Sequence, residues 1–263
     1  MLGKLLKYDL KWVYKPVIVF YILSIFFALL TRLFFSIENS LLFNILGQIT
    51  NGAMISMIIS SLINSLMRSW VRFTNNIYKD ESYLTHTLPV KKGKIYLSKV
   101  LTAVICSLTT VIVALLAVAI SYYSKENMEA LKGFLKLAAS SYDITVIRLI
   151  LVVSLVIFLE VLFIILIGYT GLIIGHRANK NKMAKSIFIA IVLYMITSTL
   201  TLGFVYVVGL FNKEVMNIIN TTEIVNVAAI KDVMRIGVII YVVYNIIYYF
   251  AGKKLLEKGV NVE

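Results

Sequence analysis

The sequence is short of cysteine, proline and glycine. Its 263 residues contain one cysteine, two prolines and 13 glycines. The single cysteine, Cys106, excludes a framework of internal disulfides, and its place in an apolar run predicts a small, buried side chain. The low proline and glycine content argues against a disordered or low-complexity chain.

Charged residues are also scarce. They make up 15% of the chain, whereas 60% of the residues are hydrophobic and the mean hydropathy is +0.90. Soluble domains are about 25% charged and about 45–50% apolar. This composition therefore excludes an ordinary soluble globule and indicates a membrane protein.

Six continuous apolar stretches have roughly the length of twenty residues that a helix needs to cross the hydrocarbon core of a bilayer. Transmembrane β-strands would instead show short segments of alternating polarity. We therefore predict an all-α polytopic membrane protein with six transmembrane helices, which form a single transmembrane domain over residues 1–263. The predicted spans are residues 17–36, 48–70, 97–123, 146–175, 186–211 and 236–252.

The basic residues are distributed unequally along the chain, which carries 26 lysines and arginines against 13 acidic residues. If both termini lie in the cytoplasm, the inner segments hold 18 of the basic residues and the outer segments hold eight. Because basic residues favour the cytoplasmic side, we predict cytoplasmic N- and C-termini and a multi-pass protein of the cell membrane. The basic residues flank the spans and do not form one groove, so the charge does not indicate a nucleic-acid partner.

Residues 1–15 have the pattern of an amphipathic interface helix. Its leucines fall near one face, and Lys4, Lys7 and Lys11 follow one another at helical spacing on another face. Such a helix lies in the membrane interface with its lysines toward lipid phosphates. Pro16 is expected to end it before the first span. The helix is either a topology anchor alone or also a contact for a cytoplasmic partner.

The inner loop between the second and third spans, residues 71–96, is predicted to carry another short helix. Asn75 or Asn76 is a suitable N-cap, and Pro89 is expected to end the helix. A short acidic helix beside a positive membrane face is typical of a docking element, and the alternative is a solvated linker. The helix would carry an apolar stripe and an acidic pair near its positive end, namely Ile77, Leu84 and Leu88, and Asp80 and Glu81.

Two segments of the chain resemble type-2 ABC transporter permeases of Gram-positive bacteria. One is DESYLTHTLP at residues 80–89, which is followed by a basic stretch and by Ser98-Lys99; the other is the opening MLGKLLKYDLK. The six-span plan is similar too, so the resemblance covers the whole chain loosely and these two segments closely. In that family the inner loop forms a coupling helix, here within residues 76–89, which seats in a groove of the ATPase subunit. The resemblance assigns this docking to Ile77, Asp80, Glu81, Tyr83, Leu84, His86 and Leu88, together with Lys4, Lys7 and Lys11 of the N-terminal helix.

The resemblance also implies partners outside this chain. Members of the family work as two permease chains with two cytoplasmic ABC ATPase subunits, in the bacterial cytoplasmic membrane, by alternating access. The second permease is either an identical chain or a paralogue. Small permeases of this kind export amphipathic peptides or similar membrane-active molecules, and lipids and drugs are the other substrate classes to consider.

The chain lacks the sequence signature of a nucleotide site. A phosphate loop has the pattern G-x-x-x-x-G-K-[ST], and although Gly47 and Gly52 have its glycine spacing, they are followed by Ala53 and Met54. We therefore expect no cofactor on this chain, with ATP and Mg²⁺ bound by the partner ATPase.

Polar residues inside the predicted spans are candidates for a translocation path. Glu160, near the middle of the fourth span, is costly to bury and predicts an interhelical hydrogen bond, a substrate contact or a proton relay. Hydroxyl and amide residues in the second and fifth spans predict either close helix packing or a polar lining of the path. Those candidates are Ser56, Ser60, Asn64, Thr197 and Thr201.

Enzyme functions find little support in the sequence. His86 and His176 are the only histidines, both are expected at the cytoplasmic surface, and no H-E-x-x-H zinc motif occurs. No histidine lies within a span to activate a serine there. We predict a transporter subunit without a catalytic or metal site, and the alternative is an ATP-independent membrane channel or scaffold.

Two outer segments have patterns of their own. Residues 125–141 are amphipathic and are predicted to lie on the outer leaflet. Residues 212–235 mix apolar residues with asparagines and are expected to dip partly back into the membrane.

Overall fold

The computed structural model describes residues 1–37, 40–220 and 227–259, which form nine α-helices and no β-strand. The all-α prediction is confirmed. Six of these helices are long and apolar enough to cross a membrane, and each contains most of one predicted span. In chain order the helices are α1 (Leu2–Phe35), α2 (Leu41–Ile77), α3 (Ser82–Thr87), α4 (Lys92–Tyr122), α5 (Lys125–Ser141), α6 (Val146–Gly175), α7 (Lys182–Phe211), α8 (Lys213–Asn220) and α9 (Val227–Glu257).

The six long helices exceed what a bilayer requires. They contain 30 to 37 residues each, and at 1.5 Å per residue this corresponds to about 45–55 Å. The hydrocarbon core is only about 30 Å thick. An upright helix of this length would project beyond the core, where its polar ends meet headgroups and water.

α1 continues through Pro16, so the expectation that this proline ends a separate interface helix was wrong. A proline inside a helix costs about 3 kcal/mol because one hydrogen bond is lost. Val13 and Val17, one turn apart around the proline, are both fully buried in the packing of α1 with α2 and α4. Two buried valines contribute about 3 kcal/mol or more together, which offsets that cost.

The first compact unit (Met1–Ala130) is built on three long helices, with α1 packed against α2 and α4. Ala28 of α1, Met54 of α2 and Ala117 of α4 form one buried cluster, in which the two small alanine side chains let the helices approach closely. Interhelical hydrogen bonds add to the packing: Tyr21 Oη lies 2.6 Å from Thr110 Oγ1, and Ser121 Oγ donates to the carbonyl of Ala28 at 3.3 Å. Cys106 is buried in the same interior, as predicted.

The second compact unit (Leu131–Asn261) has α6 at its centre, packed against α7 and α9. The turn from α6 to α7 ends on Asn181, which adopts a left-handed conformation with φ of 54°. His176 lies in this turn and is buried, with Nδ1 2.8 Å from the carbonyl oxygen of Leu172 and 3.1 Å from Ser186 Oγ. The expectation of a surface position for His176 was therefore wrong, because the close α6–α7 contact encloses the turn.

The two predicted outer segments are helical where the structure describes them. α5 has most of its residues exposed, including Leu131, Phe134 and Leu137, and only Ala139 is buried. The expectation that residues 212–235 dip into the membrane falls partly on residues 221–226, which lie outside the described part of the chain; α8 and the start of α9 flank them.

The contact between α6 and α7 generates a stability prediction. A Cβ added at Gly171 would lie 2.7 Å from Ala190 Cβ and 2.9 Å from its backbone nitrogen, whereas one added at Gly203 would meet no atom within 4 Å. We expect Gly171→Ala to lower the free energy of unfolding by about 1–3 kcal/mol through overpacking. Gly203→Ala should be neutral or slightly stabilising, because alanine has the higher helix propensity.

Thermal unfolding of the purified protein in detergent, monitored by circular dichroism, compares the two variants. Equal melting temperatures for Gly171→Ala and Gly203→Ala would contradict the close approach of α6 and α7.

Candidate functional site

The short helix α3 presents two large side chains to the outside. It lies in the connection from α2 to α4, and the carbonyl of Glu81 accepts hydrogen bonds from the N–H (3.1 Å) and the hydroxyl (3.0 Å) of Thr85. Ser82 and Thr85 are buried, whereas Tyr83 and Leu84 are 71% and 74% exposed. The connection thus carries an exposed patch, Tyr83 and Leu84, between two buried residues, Ser82 and Thr85.

The predicted helix over residues 76–89 divides into two parts in the structure. α2 continues through Ile77, the chain turns at residues 78–81, and α3 follows. Ile77 is buried at the end of α2, so the predicted stripe of Ile77, Leu84 and Leu88 on one helix was wrong. The sequence pattern assumed one uninterrupted helix, and the turn after Ile77 separates the residues that it aligned.

The seven predicted docking residues differ in accessibility. Asp80, Tyr83, Leu84 and Leu88 are exposed, whereas Glu81 and His86 are half-buried. His86 Nε2 lies 3.1 Å from the carbonyl oxygen of Ile77, which fixes α3 to the end of α2. Four of the seven predicted docking residues are therefore accessible at the surface of the first unit.

Asp9 is the centre of a charge cluster, which we define as Asp9, Arg72, Lys99 and the half-buried Glu81. Asp9 is only 3% exposed. Its Oδ1 accepts hydrogen bonds from Arg72 Nε at 2.9 Å and from Lys99 Nζ at 2.7 Å, and its Oδ2 accepts one from Ser98 Oγ at 3.3 Å. One carboxylate on α1 thus joins the last turns of α2 to the first turns of α4.

Arg72 extends the charge cluster to the connection that carries α3. Its Nη1 donates to Glu81 Oε2 at 2.5 Å, and the same oxygen accepts a bond from Asn76 Nδ2 at 3.1 Å. The ring of Trp12 lies 5.4 Å from the Arg72 guanidinium carbon, within cation–π range. Glu81 immediately precedes α3, so the position of the short helix depends on this arginine.

Among the described residues, the charge cluster pairs two acidic with two basic side chains. Buried charges are tolerated when they are paired and hydrogen-bonded, and removing one partner leaves a costly unpaired charge. Three buried aromatic rings from the same chain segments pack together, with the ring of Phe73 6.3 Å from that of Tyr78 and 6.4 Å from that of Tyr96.

Sequence reasoning missed the charge cluster, although one signal was present. Asp9 falls between Leu6 and Val13 at spacings of three and four residues, on the face that continues to Val17 and is buried in the structure. A carboxylate on an apolar stripe requires a partner. The partners Arg72 and Lys99 cannot be identified in this way, because sequence alone does not show which chain segments meet.

The predicted lysines of the N-terminal segment are placed as expected for a polar face. Lys4, Lys7 and Lys11 are exposed, and Asp9 on the opposite side of the helix is buried. The three ammonium groups are therefore accessible to an anionic surface, whether lipid or protein.

The polar residues predicted on the second span divide between two faces of α2. Ser56 is exposed and donates to the carbonyl of Gly52 at 2.9 Å, whereas Ser60 and Asn64 are half-buried. A second set of serines is buried in the interior of the first unit, where small side chains allow close packing. That set is Ser61, Ser65 and Ser69.

The other predicted path residues belong to the second unit. Thr197 is buried, and its Oγ1 lies 2.7 Å from Tyr248 Oη. Thr201 is half-buried and donates to the carbonyl of Thr197 at 2.9 Å. Glu160 is half-buried on α6.

Comparison with protein-family models, curated proteins and solved structures gave no match to this chain. The function of the chain is therefore inferred from the exposed residues Tyr83 and Leu84 of α3, the charge cluster and the polar residues of the long helices.

The charge cluster generates a second stability prediction. Asp9→Asn removes the anion that Arg72 and Lys99 share, and we expect it to lower the free energy of unfolding by about 3–5 kcal/mol. Asp80→Asn alters an exposed carboxylate close to the same site and should change it by less than about 0.5 kcal/mol.

Thermal unfolding in detergent measures both variants. The double variant Asp9→Asn/Lys99→Met, which also removes one buried cation, should recover part of the loss. A double variant less stable than Asp9→Asn alone would contradict the pairing.

Proposed function

We propose that this chain is the membrane subunit of an ATP-driven ABC exporter in a bacterial cytoplasmic membrane. The support begins with architecture: six helices have the length and composition to cross a membrane, and large apolar side chains such as Phe188 and Leu202 are exposed along them, where lipid would cover them. In this proposal the chain spans the membrane, and membrane lipids contact the exposed apolar side chains.

Orientation follows from the basic residues. The start of α1, the end of α2 and the start of α4 meet at the charge cluster, and the segments that surround it carry many of the lysines and arginines. Basic segments favour the cytoplasm, so this end of the first unit faces inward. α3 then lies on the cytoplasmic side, where an ATPase subunit is available.

The single observation that carries the proposal is the exposed pair Tyr83 and Leu84 on α3. Two large side chains exposed on a short polar connection offer a surface that a partner can cover, and aromatic residues are enriched at protein interfaces. Glu81 and His86 hold α3 against the end of α2 from the inside. A pre-organised helix loses little conformational entropy on binding, as a coupling helix requires.

The charge cluster supplies a route for coupling in the proposed exporter. A displacement of α3 by the ATPase would be transmitted to Glu81, and from there to Arg72 of α2 and Asp9 of α1, because hydrogen bonds link these three residues. Lys99 carries the same link to α4. ATP and Mg²⁺ are bound by the partner ATPase in this proposal, with two ATPase subunits and a second permease chain completing the transporter.

The proposed cargo is an amphipathic peptide or a similar membrane-active molecule, moved out of the cell by alternating access. Its support is the resemblance of residues 80–89 and of the opening segment to small Gram-positive permeases. Ser56, Ser60 and Asn64 on α2, and Glu160, Thr197 and Thr201 in the second unit, are the polar residues available to meet it.

A topology experiment tests the orientation. In a Cys106→Ser background, single cysteines replace the exposed residues Lys91, Asn181 and Lys132. We expect a membrane-impermeant maleimide to label Lys132→Cys on intact cells, and to label Lys91→Cys and Asn181→Cys only after permeabilisation. The reverse pattern would place α3 outside the cell and eliminate the ATPase docking.

A copurification experiment tests the docking itself. The full chain is affinity-purified from its native membrane in mild detergent, the associated ATP hydrolysis is measured, and the bound subunit is identified by mass spectrometry. We expect Tyr83→Ala/Leu84→Ala to reduce the associated ATPase about tenfold or more, because removing a buried interface anchor costs about 2 kcal/mol or more.

The matched control is Tyr206→Ala/Leu202→Ala, which removes the same residue types from α7, where they are 50% and 72% exposed. It should leave the associated ATPase unchanged. If no ATP-hydrolysing subunit accompanies the unaltered chain, the exporter proposal fails and an ATP-independent channel or scaffold becomes the better account.

A further inference from the structure

The exposed face of α1 changes from basic to apolar within one turn. The first half of this face carries four exposed lysines, which are Lys4, Lys7, Lys11 and Lys15. From residue 18 to residue 29 its exposed side chains are all apolar, among them Ile18, Ile22 and Phe26, which are 49–62% exposed. Because α1 continues through Pro16, the lysines and the apolar residues follow one another along one face of a single helix.

Two basic residues, Lys15 and Arg32, bound the apolar part of α1. No charged side chain lies between them. At 1.5 Å per residue they are about 26 Å apart along the helix, which is less than the thickness of the hydrocarbon core, about 30 Å. In a bilayer, the Lys15 side chain must therefore extend outward to the headgroups. Lys11 lies about 6 Å farther out, within the headgroup layer, which is about 5–8 Å thick on each side.

A third basic side chain lies at the same depth. The ring of Trp12, three residues before Lys15, is 5.9 Å from the guanidinium carbon of Arg68 on α2 and 5.4 Å from that of Arg72. Arg72 is paired within the charge cluster, whereas Arg68 forms no ion pair with any residue that the structure describes. Tryptophan is enriched at membrane interfaces. Arg68 is therefore a cation beside an interfacial ring, and its charge is available to a ligand.

The position of these cations favours a lipid over a protein as their ligand. Lipid phosphates lie directly outside the hydrocarbon core, and basic residues near that surface attract anionic lipids. The acyl chains of a lipid whose headgroup meets Lys15 would lie against Ile18 and Ile22 on the same face of α1. Lys7 and Lys4 lie about 12 and about 17 Å beyond Lys15 along the helix, where a soluble protein has easier access.

We propose that Lys11, Lys15 and Arg68, beside the ring of Trp12, form a binding site for the headgroup of an anionic phospholipid. The site goes beyond the proposed exporter function, because it requires only that α1 crosses a bilayer. With the orientation proposed above, it lies in the inner leaflet, next to the end of the first unit that carries α3. The lipid would be a ligand of the chain and not its cargo.

Tryptophan fluorescence provides the test, because the chain has two tryptophans and Trp70→Phe leaves Trp12 alone. The full chain with this substitution is reconstituted into vesicles of phosphatidylcholine and phosphatidylglycerol, in which one lipid at a time carries brominated acyl chains. Quenching by each brominated lipid measures which lipid lies beside Trp12. We expect phosphatidylglycerol to be preferred about tenfold, and Lys11→Gln/Lys15→Gln to reduce this preference about fivefold or more. Arg68→Gln should reduce it about threefold.

The matched control is Lys4→Gln/Lys7→Gln, which removes the same two charges from the same face at a greater distance from the hydrocarbon core. It should change the preference less than twofold. Lys11→Arg/Lys15→Arg, which keeps both charges, should retain the preference. Circular dichroism checks that each variant is folded, which is expected because both pairs of lysines are exposed.

Other outcomes would overturn the site. Equal quenching by the two brominated lipids would exclude it, and equal losses for the two pairs of lysines would indicate general attraction to a charged surface. If soluble glycerol phosphate abolishes the preference, the ligand is a soluble anion and not a lipid. The measurement uses the chain alone, so a lipid preference without any copurifying ATPase would support the site and reject the exporter.

Discussion

The carboxylate of Asp9 lies in the interior of the first unit, where Arg72, Lys99 and Ser98 surround it and little of it reaches solvent. A charge in this position is tolerated only while its partners stay in place. The ends of α1, α2 and α4 are consequently held together, and the connection that carries α3 is held through Arg72 and Glu81. The exposed residues Tyr83 and Leu84 are thus held in position through the buried carboxylate of Asp9, which fixes Arg72 and, through it, Glu81.

The two units differ in how the carboxylates on their long helices are paired. In the first unit, Asp9 is paired with two cations, so the group is electrically satisfied and structural. In the second unit, Glu160 is half-buried on α6 and forms no ion pair with any of the described residues. In the proposed exporter, the paired charges of the first unit receive the movement of the ATPase.

Much of the fold could be predicted from the sequence, because a run of about twenty apolar residues has few alternatives to a long helix. Local signals were less reliable. Pro16 did not end a helix, since packing on both sides offset its cost, and Ile77 was aligned with Leu84 across a turn that hydropathy does not reveal. The pairing of Asp9 with Arg72 and Lys99 joins residues 63 and 90 positions apart, and no local pattern contains that information. The orientation and the docking of a partner remain proposals.

Hydrogen–deuterium exchange of the purified chain tests most directly whether the charge cluster holds the docking helix. The measurement compares Asp9→Asn with the unaltered protein, and peptides from α6 and α7 serve as the internal reference. Faster exchange confined to the first unit and greatest in residues 78–91 is the predicted result, because loss of the anion releases Arg72 and, with it, Glu81. Unchanged exchange in residues 78–91, or an equal increase in α6 and α7, would contradict the account.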